Sequence, residues 1–190
     1  MKKKTKTEEA KYKKGGFPFV FLYFFFYLCL LSLPAFFLPV SKVYAQQENR
    51  GRAESLYRES VTLFEDGKVD KAIELVREAI KADPKYPNAY NRLGYMLLKK
   101  GRIKEAIDAF KLALKINPRL HSSKTGMGLA LLREGDTKRA EAVLKEALIL
   151  NPSPSMAHYA LGLVYEKLGD YKKAIYQFKR GIEKYKSDSK

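Results

Sequence analysis

Cysteine and histidine are nearly absent from this chain: Cys29 is the one thiol, and His121 and His158 are the only imidazoles. Everything after Cys29 therefore lacks a thiol, which excludes a disulfide framework, a thiolate nucleophile and a cysteine metal site there. Phe26, Tyr27 and Leu28 before it are bulky, unlike the small residues that precede a lipid-modified cysteine, so Cys29 reads as a small hydrophobe. The two histidines stand at no metal-ligand or acid-base spacing, and His158 reads as a packing residue. There is no glycine-rich phosphate loop, and Ser55, Ser60, Ser122, Ser123 and Ser155 lack a nucleophile elbow and a histidine partner. Acidic pairs such as Asp66 with Asp70 and Glu141 with Glu146 fall beside turns or on charged helix faces and read as solvated surface. No catalytic set, metal site or cofactor is expected, which leaves a binding module rather than an enzyme.

Acidic residues are also scarce at the start. The first 45 residues hold 8 of the 37 Lys and Arg but only 2 of the 21 Asp and Glu. Seven lysines, from Lys2 to Lys14, precede an uncharged run from Gly15 to Ser41 that is dense in Phe, Leu and Tyr. A basic stretch before an apolar one is the layout of a secretion signal, and Val43-Tyr44-Ala45 supplies suitable side chains for cleavage after Ala45. An uncleaved anchor is the alternative: a helix from Phe17 to Val40 would be about 36 Å long, enough for a ~30 Å hydrocarbon layer, although Pro34 and Pro39 oppose an unbroken helix. Residues 1–45 are thus expected to be a signal peptide or signal anchor. On either reading the lysines hold the amino terminus in the cytoplasm and the rest becomes extracytoplasmic: periplasmic or secreted after cleavage, otherwise tethered to the inner membrane. Residues 46–52 are polar and read as a short connector.

From there the chain repeats itself. Prolines 84, 118 and 152 are 34 residues apart, as are glycines 67, 101, 135 and 169 and alanines 72, 106, 140 and 174. The units are 53–86, 87–120, 121–154 and 155–188. Within each, apolar residues at three- and four-residue spacing form two helical stripes separated by a Gly turn, and proline closes the second stripe in the first three units. In the second unit Tyr90, Leu93, Gly94 and Leu97 make one stripe, and Ala106, Phe110 and Ala113 the other. Gly94 recurs as Gly128 and Gly162, opposite the small Ala106, Ala140 and Ala174. Glycine inside a helix costs up to ~1 kcal/mol relative to alanine, so its return predicts a close helix approach.

Leu93-Gly94, Ala106, Phe110 and Pro118, and again Leu161-Gly162, Tyr165, Ala174 and Phe178, resemble the tetratricopeptide repeat (TPR) signature over residues 53–186. The first unit departs from it, with Glu59-Ser60 where Leu-Gly is usual, as fits a terminal unit. The resemblance implies an all-α fold, a TPR α-solenoid in which helix-turn-helix pairs form a right-handed superhelix. It also implies that the first helix of each pair lines a concave face whose variable positions carry recognition. These are Tyr57, Val61 and Phe64; Asn91, Arg92, Tyr95 and Lys99; Thr125, Leu129, Leu132 and Arg133; and Tyr159, Leu163, Glu166 and Lys167. Aromatic and aliphatic residues interleaved with Arg, Lys and Asn suit a protein or peptide partner, but Tyr95, Leu129 and Leu163 could equally pack between helices. The carboxylate-gripping set of chaperone-tail receptors is not matched: Tyr57, Val61, Arg92, Ser122 and Gly126 occupy its places, and only Arg92 suits it.

Two further partner classes follow from the residues. Ile175 and Phe178 on the last helix are expected to stay partly exposed, which invites self-association or stacking on a larger complex. Basic groups such as Lys99, Lys100 and Arg102, or Lys172 and Lys173, could meet an anionic envelope surface; export disfavours nucleic acid. A scaffold or adaptor of a bacterial envelope is the leading expectation.

Overall fold

The computed structural model describes residues 43–150 and 154–188. Most of the expected signal or anchor stretch, 1–45, lies outside the described residues, as does Pro152. The chain divides into two compact units, residues 1–48 and 49–190, and the second carries the repeats.

Eight helices and no strand occur among the described residues: α1 (43–65), α2 (Val69–Ala82), α3 (Pro87–Lys99), α4 (Ile103–Ile116), α5 (His121–Glu134), α6 (Thr137–Leu150), α7 (Ser155–Lys167) and α8 (Tyr171–Asp188). The fold is the all-α repeat array expected from the sequence. Residues 46–52, expected as a connector, are helical and exposed within α1. They lack the apolar periodicity on which the helix expectation rested, so the helix begins earlier than its buried stripe. No described helix is long and apolar enough to cross a membrane.

Each turn inside a pair is built the same way. The N–H groups of Lys68, Arg102, Asp136 and Asp170 donate across the turn to the carbonyls of Leu63, Leu97, Leu131 and Tyr165, all at 2.9 Å. That closure demands a left-handed residue beneath it, which glycine adopts without strain, as at Gly135 with φ 101°. Asp136 and Asp170 then accept the N–H groups of Arg139 and Lys173 at 3.0 and 3.1 Å, capping α6 and α8. Between pairs, Asp83 and Asn117 accept the N–H groups of Lys85 and Arg119 at 2.9 and 3.1 Å and so turn the chain before the next helix.

The core runs from Ala53 through Val76, Met96, Phe110, Leu131 and Leu144 to Val164 and Ala174, all buried. The first helices of the third and fourth units pack on both helices of the preceding unit: α5 on α4 and α3, α7 on α6 and α5. The mid-helix glycines serve this packing, but not against the alanines the sequence paired with them. A Cβ on Gly94 would sit 2.6 Å from the Phe110 ring, and one on Gly128 or Gly162 would strike Leu144 or Phe178. The glycine makes room for the large side chain four residues beyond each alanine, which accounts for a helix-weakening residue recurring there.

Candidate functional site

The first helices place their variable side chains in columns, because residues 34 apart occupy equivalent positions in successive units. Val61, Tyr95, Leu129 and Leu163 form one column, each half-buried, and the last three pack on the core. Lys99, Arg133 and Lys167 form a second column, all exposed, at the carboxyl ends of α3, α5 and α7.

These cations have fixed places. Arg133 donates from Nη1 to the Leu98 carbonyl at 2.7 Å, and Lys167 from Nζ to the Leu132 carbonyl at 3.3 Å, each reaching back to the end of the preceding first helix. These carbonyls already accept the Gly101 and Gly135 N–H groups at 3.1 and 3.2 Å, so the cation adds a second donor at a helix carboxyl end, where the helix dipole favours positive charge. Lys99 instead lies over Phe64, its Nζ 4.6 Å from the ring centroid. Arg92 similarly lies 5.9 Å from the centroid of Tyr57, which meets Tyr86 edge-on at 5.3 Å.

Several expected contact residues are committed to the joints between units. The Tyr95 hydroxyl donates to the Ser122 carbonyl at 2.8 Å while its ring stands edge-on to Phe110 at 5.2 Å. Burial pushes its pKa up to about 12, with Arg92 pulling weakly the other way. Asn91 Oδ1 accepts from Ser123 Oγ at 2.8 Å. Thr125 is only 2 % exposed and bonds the His121 carbonyl, so it is a packing residue and not a contact surface. Leu132 is buried as well. By contrast Tyr159 is 50 % exposed, its ring tilted against Phe178 at 5.7 Å, and Glu166 is exposed. His158 is buried with Nδ1 2.7 Å from Gln177 Oε1, which fits the packing role read from the sequence.

The acidic pair read as solvated surface does more than that. Glu141 accepts from the Tyr165 hydroxyl at 2.9 Å and pairs with Lys145 at 2.8 Å, and Glu146 pairs with Lys124 at 2.5 Å. The Lys145 hydrogen bond, with that of Tyr165, holds the Glu141 carboxyl below its ordinary range against the opposing effect of burial. The spacing of 24 residues between Glu141 and Tyr165 crosses a unit boundary, and no helical periodicity signals such a pair. Elsewhere the basic groups are broken up by exposed ion pairs such as Lys100 with Asp70 and Lys111 with Asp108. No group of three or more His, Cys, Asp or Glu among the described residues could hold a metal.

A tetratricopeptide repeat family model matches residues 57–120 and 125–189. A solved thermophilic TPR protein of Thermus thermophilus is similar at 27 % identity and a TM-score of 0.65, covering 69 % of this chain and 73 % of its own. A structure of MamA is similar at 25 % identity and 0.62, covering 78 % of this chain and 86 % of its own. The first TPR of Spaghetti (RPAP3), solved bound to the HSP90 peptide SRMEEVD, shares the fold at 21 % identity and 0.60, covering 63 % of this chain and 95 % of its own. No curated protein matches the sequence.

Proposed function

Because the chain belongs to the tetratricopeptide repeat family, we propose that it is an exported or membrane-anchored scaffold that holds a protein or peptide partner on the face formed by its first helices. The observation that carries this reading is the pair of parallel columns: half-buried Val61, Tyr95, Leu129 and Leu163 beside exposed Lys99, Arg133 and Lys167. An extended peptide laid across the units would place apolar side chains on the first column and carboxylates against the second. Arg133 and Lys167 each spend one donor on a carbonyl, which fixes the head group and leaves its remaining N–H groups for a ligand. Tyr95 contributes its ring edge and not its hydroxyl, which is already bonded. A related fold holds the peptide SRMEEVD, which supports peptide binding by such an array in general; the carboxylate set of chaperone-tail receptors is not matched here, so the mode proposed is a different one.

The role is holding rather than converting: the two imidazoles lie in different units, and His158 is already engaged by Gln177. Export is supported by the seven lysines ahead of the uncharged run Gly15–Ser41. Contact with an anionic envelope surface is the weaker reading, since ion pairs interrupt its basic groups.

The test is crosslinking capture in the native host with the full chain and with a Lys99→Glu, Leu129→Ser variant of confirmed helicity. One partner, retained at moderate salt and lost with the variant, supports the groove. Capture insensitive to the variant removes it, and capture abolished by salt alone points to the charged surface instead.

A further inference from the structure

The carboxyl-terminal unit exposes a seam that every interior unit covers. Position by position, the same side chains change state: Ile73 and Ile107 are 5 % exposed, whereas Ile175, 34 residues further on again from Glu141, is 67 % exposed. Phe110 and Leu144 are fully buried and Phe178 is not. Leu114 and Leu148 are half-buried, and Ile182 is 57 % exposed. In the interior these positions lie under the first helix of the following unit, as Gly126 of α5 lies on the Phe110 ring. At the end of α7 and α8 the same place is an open cavity of about 660 Å³, with Met156, Tyr159, Phe178, Ile182 and Tyr185 in its walls. Gly181 lies at its floor, where a Cβ would be 3.1 Å from the Ser155 carbonyl.

The chemistry of α8 states what kind of helix fits. Tyr171, Ile175, Phe178, Ile182 and Tyr185 follow one another at spacings of four, three, four and three, the spacing of a coiled-coil seam. Lys172, Lys179 and Lys186 recur every seven residues immediately beside that seam, at the flanking position where coiled coils place charges that choose the partner. The ion pairs of α8 use Lys173 and Arg180, on other faces, and these three lysines form none among the described residues.

A second copy fits poorly in either direction. Tail to tail, two α8 helices with six basic against two acidic residues each would bring like charge together. Head to tail, the outer face of α1 would have to enter the groove. That face carries exposed Ser55, Arg58 and Thr62, where the later first helices carry Ala89 and Met96, or Ala157, Ala160 and Val164. Interior first helices that are polar at these places find partners, Ser123 in Asn91 and Arg92 over Tyr57. The groove here is walled by Met156, Phe178 and Ile182 and would offer Arg58 and Thr62 none.

We infer that the α7–α8 groove is a docking site, separate from the first-helix face, for an amphipathic helix of another protein that presents an apolar heptad seam flanked by acidic residues. The inference does not depend on the peptide reading above.

Two end-blocked, fluorescently labelled 18-residue peptides test it, both with alternating Ala and Leu in the seam, one with Glu and one with Lys at the flanking positions. Like charges keep each from pairing with itself. Anisotropy is measured against the full chain held in lipid nanodiscs, so that no free detergent enters the groove. The Glu peptide is expected to bind at least tenfold more tightly than the Lys peptide. Ile182→Glu, at an exposed position, should weaken it at least tenfold with helicity unchanged, and Lys179→Glu with Lys186→Glu should reverse the preference. Lys99→Glu with Leu129→Ser should leave it unaltered. Equal binding of the two peptides, no binding of either, indifference to Ile182→Glu or sensitivity to the first-helix variant would each overturn the proposal. So would self-association of the chain that Ile182→Glu disperses, which would make a second copy the occupant.

Discussion

The two ends of the repeat array solve the same problem differently. Among the described residues, a unit at either end has a face with no neighbouring unit, and in α1 that face is polar: Ser55, Arg58, Glu59 and Thr62 are all exposed. At the other end Tyr171, Ile175, Ile182 and Tyr185 are between 57 and 68 % exposed. Repeat arrays need a polar outer face where stacking stops. The first unit has one, and the last unit keeps interior chemistry on an outer surface. Solvation closes the first end; the second is the end proposed above as a docking site.

The largest test of this contrast is a matched pair in the core. Phe110→Ala should cost about 3–5 kcal/mol, because the ring is fully buried under both Gly94 and Gly126 and its removal leaves a cavity. Phe178→Ala should cost roughly half as much, since water already reaches part of the ring. Chemical denaturation of both variants reads the difference directly; equal losses would mean that the last unit is as well covered as the second.

A smaller effect separates the equivalent isoleucines. Ile107→Ser should destabilise by about 2–4 kcal/mol through lost burial and an inserted hydroxyl, while Ile175→Ser should stay within about 0.5 kcal/mol. Thermal melts of the two variants check it, and Ile175→Ser should also reduce binding of the acidic probe helix.

An interior joint can be titrated. The Tyr95 hydroxyl has a folded pKa of about 12 against an ordinary 10, so the folded state holds its proton more tightly than the unfolded chain. Its stabilising contribution is complete below pH 10 and is lost as pH rises towards 12. That difference corresponds to about 3 kcal/mol at most. Tyr95→Phe should cost about 1 kcal/mol at neutral pH, from the lost bond to Ser122, and should flatten the alkaline loss of stability. The reverse sign applies to Glu141, whose lowered carboxyl pKa stabilises above the ordinary carboxylate range and ceases to do so as pH falls through the folded value. Denaturation midpoints across pH separate the two.

The smallest stability change comes from erasing the polar end. Ser55→Ala with Thr62→Met copies the Ala89 and Met96 of the next unit and should alter stability by less than about 0.5 kcal/mol, both sites being exposed. It should also create head-to-tail association, visible as a concentration-dependent sedimentation coefficient. A variant that remains monomeric would show that the polarity of α1 is not what keeps copies apart.

Much of this was legible before any coordinates. The period of 34 located all eight helices, with only the early start of α1 at residue 43 missed, since apolar spacing and Gly and Pro punctuation are local properties. It also identified the equivalent positions that become columns. The fate of each column member was not legible. Val61, Leu129 and Leu163 stay at a half-buried surface, whereas Thr125 turns inward and Asn91 and Tyr95 are tied to Ser123 and Ser122 of the next unit. Those bonds span 32 and 27 residues, and nothing in the local pattern of either helix announces a partner so far away. The regular cations at 99, 133 and 167 were visible as a period, but the use of the last two at the carboxyl end of the preceding first helix appeared only when the helices were stacked.

The amino-acid sequence alone determined the all-α repeat, its register and its turns, because each depends on residues within one or two helical turns of one another and recurs at fixed distance. Tertiary structure decided which member of each equivalent set is core and which is surface, because burial depends on whether another unit lies above it. Ile107 and Ile175 are the same residue at the same repeat position; the presence of α5 over one, and of no described helix over the other, makes the first a core residue and the second part of an open seam.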